Sequence, residues 1–218
     1  MRKTLFSGIA ACLLATAATA AEQSPSVIWT VGQADRSASE FALAPDRFRD
    51  FLANDFGYED KYFLVGHSVP AADFPYVLPG PADTWGGTWP TSGWRTHQIN
   101  ILFGLKEIPS DGTCTLVVDL LDYAKNFLPL VKVSVNTQDA KFQLDAPGLS
   151  VADQRKPNQM EKIVDTLSIT GNLAKATPRR LEIPIRPGVL KAGGNEVTIT
   201  VLEGSWILFD RVSLEGPA

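Results

Sequence analysis

The sequence predicts an all-β fold, a two-sheet sandwich of the jelly-roll kind. Three observations lead there. Short runs rich in Val, Ile, Leu and Phe alternate with polar residues, as in 98–103 and 130–136. Gly, Asn, Asp and Pro clusters separate those runs. No heptad, internal repeat or long amphipathic helix competes with this pattern.

Taken in order, 27–31 is the first strand candidate, closed by a turn over 32–37. Residues 40–43 are expected as a short second strand. Pro45 opens an expected helical turn through Phe48 and Phe51, with Asp46 near its N-terminus. Residues 61–65 read as strand, ended by Gly66. Ile99, Ile101 and Phe103 share one face of the next strand. Residues 113–122 are apolar on both faces, as a central strand covered on both sides requires. Val131, Val133 and Val135 alternate, and 141–144 is the expected hairpin partner.

Residues 151–163 are polar and irregular, and 166–169 is a weak strand. Leu181, Ile183 and Ile185 alternate, and Pro184 marks that strand as an edge or a bulge. Gly193, Gly194 and Asn195 turn into a strand with Val197, Ile199 and Val201 on one face. Residues 206–214 form the last strand.

Between these strands, 73–94 stands apart. It holds four prolines, four glycines and three of the five Trp residues, so it reads as an ordered loop. Trp85, Trp89 and Trp94 have flat apolar faces suited to the C–H faces of sugar rings. Closing one end of the core is an equally open reading of these rings. Trp29 and Trp206 are expected in the core.

The totals bound the function. Met1, Arg2 and Lys3 precede an apolar run, and Ala18, Thr19 and Ala20 form a small-residue cleavage site. Residues 1–20 are therefore expected to be a signal peptide, and 21–218 a single secreted or periplasmic domain. Ile9, Ala10, Ala11 and Cys12 weakly suggest a lipoprotein box, but apolar residues continue past Cys12. No later run reaches membrane-spanning length. The mature chain has 18 basic against 24 acidic residues, which argues against nucleic acid. Only Cys114 survives cleavage, so no internal disulfide is expected.

Several fragments, read together, resemble a known family. They are Ile28 to Gly32 with Ala34, Asp35, Glu40 and Phe41; Tyr62 with Val65, Gly66 and Ser68; and Asp73 to Tyr76. Further along come Phe103 and Leu105, the Val131, Val133, Val135 and Asn136 series, and Ile183 with Pro184. Gly194, Asn195 and Val197, then Phe209, Asp210, Val212 and Leu214, complete the set. In order and spacing these are similar to the C-terminal domain of rhamnogalacturonan lyases of polysaccharide lyase family 4. The resemblance implies a galactose-binding-like β-sandwich of the carbohydrate-binding kind. In those lyases catalysis belongs to a larger N-terminal domain, for which the signal peptide leaves no room here. The expectation is a binding fold without lyase activity.

Chemistry-bearing residues are few. With only His67 and His97, no zinc spacing exists. No Gly-x-Ser-x-Gly elbow is present. His67, Ser68 and Asp73 lie close in sequence, which is no evidence of a triad. Asp73, Asp83, Asp119, Asp122 and Asp210 are the carboxylates available for hydrolysis. Asp210 is expected to hold backbone amides instead. No catalytic residue is assigned.

Carbohydrate contact is assigned to Trp85, Trp89 and Trp94 by stacking, with polar contacts from His67, Asp83 and Arg95. No cofactor is expected, beyond a structural Ca²⁺ drawing on Asp35, Glu40 and Asp210. The expected partner is a polysaccharide or oligosaccharide of pectin or rhamnogalacturonan type. Two alternatives stay open. One is a small secreted lyase or hydrolase; the other is an accessory domain docking onto a glycan-degrading enzyme through the aromatic loop.

Overall fold

The computed structural model describes residues 26–45, 61–83, 97–109, 113–145, 168–174 and 176–217. Among the described residues ten strands lie in two sheets: β1 (Val27–Gly32), β2 (Lys61–Leu64), β3 (Val77–Leu78), β4 (Gln98–Leu105), β5 (Thr115–Tyr123), β6 (Leu130–Val135), β7 (Gln138–Gln143), β8 (Arg179–Pro184), β9 (Gly193–Glu203) and β10 (Ile207–Glu215). A short helix, α1 (Pro70–Asp73), carries its proline in the first turn, where a missing N–H costs nothing. Among the described residues no helix is long and apolar enough to cross a membrane.

The first sheet runs β1-β10-β5-β8, with β3 also paired to β10. The second runs β2-β4-β9-β6-β7. Set β2 and β3 aside and renumber the other eight strands in chain order. They then lie 1-8-3-6 and 2-7-4-5, the two interlocked Greek keys of a jelly roll. The all-β sandwich expected from the sequence is the fold observed.

Alternation places the core. Ile99, Ile101 and Phe103 of β4, the three valines of β6, and Val197, Ile199 and Val201 of β9 are buried between the sheets. β5 is central and covered on both faces, and β8 is an edge strand ending at Pro184, both as the pattern indicated. Trp29 packs on Phe103 with ring centroids 5.2 Å apart, and Trp206 is buried too. Cys114 is a free buried thiol, and burial raises its pKa.

Three expectations need correction. Residues 40–43 form no strand: Leu43 has φ 59°, and only an isolated Ala42–Pro75 bridge remains. Ser168 to Thr170 is a turn, so the weak strand at 166–169 does not form there. The run from residue 73 is not wholly loop, because α1 ends in it and β3 pairs with β10. Phe74, Tyr76 and Val77 are fully buried there, and Leu78 nearly so. The first part of the aromatic–proline run therefore closes the core. The helical turn expected after Pro45 and the irregular 151–163 stretch lie outside the described residues.

Candidate functional site

The aromatic loop is rooted at one end of β4. Gly80 approaches the β9–β10 turn so closely that a Cβ there would sit 2.4 Å from the Gly204 carbonyl oxygen. Glycine is thus required at this position. Asp83 follows, only 6 % exposed. Its Oδ2 accepts the Gly80 N–H at 2.7 Å, and its Oδ1 accepts the Ser205 hydroxyl. The Ala82 N–H donates to the Gly204 carbonyl at 2.9 Å. Across the loop, His97 Nδ1 lies 3.2 Å from the Pro79 carbonyl oxygen, and its own carbonyl accepts the Val201 N–H at 2.8 Å. The two flanks of 84–96 are therefore fixed to one another. Asp83 holds the loop's root from inside. Trp85, Trp89, Trp94 and Arg95 lie outside the described residues.

His67 stands elsewhere. It is exposed on the turn after β2, where the Val65 N–H donates to the Leu102 carbonyl at 2.9 Å. That is the far end of β4 from Asp83, so the fold does not bring these two candidates together. Ser68 Oγ accepts the Leu64 N–H at 2.9 Å, and Asp73 Oδ2 accepts the Val69 N–H at 2.7 Å. Both shape the turn and the start of α1.

The other carboxylates serve the scaffold. Asp119 pairs with Arg211 at 2.9 Å and Arg180 at 3.5 Å. Asp122 pairs with Lys125 and accepts the Thr177 N–H at 3.0 Å. Asp35 Oδ1 accepts from Ser37 N–H at 2.9 Å, Glu40 Oε1 from Gln33 N–H at 2.8 Å, and Asp210 Oδ1 from Arg36 N–H at 3.0 Å. These three, expected as calcium ligands, each bind a backbone amide of the turn after β1. Among the described residues no group of three His, Cys, Asp or Glu side chains converges as metal ligands.

Burial pushes the Asp210 carboxyl up to about 6; the Arg36 N–H opposes this, and the Asp35 and Asp119 charges add to it. The fold therefore binds this proton more tightly than the unfolded chain does. Its contribution to stability is full below about pH 4 and is lost as pH rises through 6. Asp210→Asn keeps an oxygen for the Arg36 N–H and removes the titration. Urea midpoints from pH 4 to 7 are expected to lose that declining component in the variant. An unchanged pH slope would refute the assignment.

The outer face of the second sheet is the other notable surface. Tyr62, Asn100, Thr198 and Ser134 lie side by side across β2, β4, β9 and β6. Asn100 Oδ1 accepts from Thr198 Oγ1 and from Gln98 Nε2, each at 3.0 Å. One step along the strands, the face opens into a trough of about 460 Å³. Its floor is Leu102, Gly104 and Gly194, and Leu64, Asn136, Lys191 and Glu196 stand around it.

Two asparagines fix one wall of that trough. Asn136, at φ 48°, donates to the Val189 carbonyl at 2.7 Å and to Asn195 Oδ1 at 2.9 Å, and its Oδ1 accepts the Glu196 N–H at 3.0 Å. Asn195 Oδ1 also accepts the Lys191 N–H at 3.0 Å. Its Nδ2 donates to the carbonyls of Lys191 at 2.8 Å and Gly193 at 3.0 Å. Every donor and acceptor site of the Asn195 amide is thus filled. The sequence marked both residues only as parts of a resemblance and a turn.

A family model described as CBM-like, polysaccharide lyase family 4, domain III, matches residues 27–214. Among solved structures the chain is similar to a ruminal GH26 endo-beta-1,4-mannanase, at 13 % identity and a TM-score of 0.38, over 92 % of this chain and 27 % of that one. It is also similar to a GH115 4-O-methyl-alpha-glucuronidase with specificity for decorated arabinogalactans, at 13 % identity and a TM-score of 0.33, over 65 % of this chain and 16 % of that one. A third is the cycloalternan-forming enzyme from Listeria monocytogenes, at 18 % identity and a TM-score of 0.28, over 53 % of this chain and 8 % of that one. The chain spans little more than a quarter of the first of these structures and less of the other two. No curated protein matches it.

Proposed function

This chain belongs to the CBM-like domain III family of polysaccharide lyase family 4, and from that premise we propose that it binds polysaccharide without cleaving it. The ligand is plant cell-wall polysaccharide of pectin or rhamnogalacturonan type. The protein meets it outside the cytoplasm, as a single domain over 21–218 released from a signal peptide over 1–20. The observation that carries this reading is the family match across 27–214.

In this reading Trp85, Trp89 and Trp94 supply stacking faces, and Arg95 forks onto hydroxyls or a uronate carboxylate. Asp83 and Ser205 hold the loop's root, so that binding does not have to order it from the start. His67, on its exposed turn, meets a different stretch of the same polymer.

Alanine variants of the three tryptophans test this, with binding to pectin and rhamnogalacturonan oligosaccharides followed by calorimetry. At least one, Trp85→Ala first, is expected to lose tenfold or more in affinity, about 1.4 kcal/mol, with little change in unfolding midpoint. Trp85 comes first because the two residues that follow it, Gly86 and Gly87, carry no side chain. Three variants that bind as the parent does would remove the loop from the site. Release of ultraviolet-absorbing unsaturated products by the purified chain would overturn the non-catalytic reading.

A further inference from the structure

We propose that the trough on the outer face of the second sheet is a second subsite, and that it takes an uncharged sugar unit. The inference rests on the carbohydrate-binding reading and deepens it.

The floor is the strongest observation. Gly104 and Gly194 face each other in register on β4 and β9. A Cβ on Gly194 would meet nothing within 4 Å, and one on Gly104 would meet only the Gly193 carbonyl oxygen at 4.0 Å. Neither residue has a positive φ. The backbone therefore requires glycine at neither position, and glycine within a strand weakens it. What the pair provides is bare floor, where a ligand can come close to the sheet.

The surrounding side chains set the ligand class. Leu64, 43 % exposed on β2, and Leu102 offer an apolar surface to the C–H face of a ring. Glu196 and Lys191 place one charge of each sign at the rim. A hydroxyl can donate to the carboxylate and accept from the ammonium, so a neutral polyol satisfies both. A uronate gains Lys191 only by setting its own charge against Glu196, so the negative charge brings no net advantage there. The wall needs no rearrangement, since the Asn136–Asn195 pair already holds it. Beyond Leu64 on the same side of β2 stands Tyr62, 57 % exposed, beside Asn100 and Thr198. The chain of a bound oligosaccharide continues over that ring.

Gly194→Leu in the mature chain fills the floor. The neutral probes are oligosaccharides of galactan, arabinan and mannan, and the charged probe is oligogalacturonate. At least one neutral probe is expected to bind the parent and to lose tenfold or more in affinity to the variant. The unfolding midpoint and any binding of oligogalacturonate should be unchanged. Should Gly194→Leu fail to fold, Glu196→Gln on the exposed rim is expected to weaken the same neutral probe at least threefold.

Trp85→Ala, measured in parallel, separates this proposal from the loop reading. A glycine variant that binds every neutral probe as the parent does sinks the trough, whatever the tryptophan variant does. Binding of oligogalacturonate alone by the parent also sinks it, and leaves the broader carbohydrate reading intact. A parent that binds no probe removes both.

Discussion

Replacing Phe74 with alanine is expected to lower the unfolding free energy by about 4–5 kcal/mol. The ring is fully buried and sits at the junction of the two sheets. Its centroid lies 5.1 Å from that of Phe209 on β10, 5.6 Å from Phe63 on β2 and 5.4 Å from Phe41 in the turn after β1. Phe209 and Phe63 meet it edge-on, the arrangement their quadrupoles favour. Truncation loses the transfer energy of the ring and leaves a cavity between rigid strands that cannot collapse into it. The Phe74 carbonyl also accepts the Ala42 N–H at 2.9 Å, and the small side chain leaves that bond in place. Urea unfolding with an unchanged m-value checks the expectation. A loss under about 2 kcal/mol would mean that Phe74 is not the hub of this cluster.

Asn195→Ala is expected to cost about 3–4 kcal/mol, more than a typical polar substitution. Four hydrogen bonds disappear with the amide, each contributing roughly 1 kcal/mol net. Asn195 is only 5 % exposed, so water does not readily replace them. Asn195→Asp supplies a control. It keeps the acceptor for the Lys191 and Asn136 N–H groups, but sets a carboxylate oxygen against the Lys191 and Gly193 carbonyls. It should therefore also destabilise, and by less at low pH, where the carboxyl is protonated and donates to one of them. Equal stability of parent and Asn195→Ala would show that the loop from Val189 to Asn195 is held by other means.

How much of this was legible in the sequence depends on how local the cause is. Period-two alternation is local, so Ile99, Ile101 and Phe103 announced their face, and the Val- and Leu-rich run of β5, apolar on both faces, announced a strand covered twice. Pro184 announced an edge or a bulge because a missing N–H is a property of one residue, and the edge is what the sheet order shows. Phe74 to Leu78 was read as loop because Pro75 and Pro79 break every period there. Its burial is decided by pairing with Ile207 and Leu208, far along the chain.

Asp83 illustrates the same limit for the site. Among tryptophans an aspartate suggests a ligand contact, yet its partner Ser205 is 122 residues away. The tryptophans themselves were conspicuous in sequence, but they lie outside the described residues. The trough was invisible for a different reason. Its defining feature is the absence of two side chains, and Gly193 with Gly194 before an asparagine reads as a turn. Only the register of β4 against β9 turns Gly104 and Gly194 into one bare patch.

The pairing of β1 with β10 has a mechanical consequence. The two strands run antiparallel from Val27 opposite Glu215 to Gly32 opposite Arg211, and the Gly216 N–H donates to the Ser26 carbonyl at 2.6 Å. The start of β1 and the end of β10 thus lie side by side at one end of the ladder. Tension between residues 26 and 216 pulls this ladder open like a zipper, one hydrogen-bonded pair at a time, and never loads it in shear. Under such a load β1 peels away first. The second sheet carries neither of these ends, so the Gly104–Gly194 trough feels the pull only after the first sheet has begun to come apart.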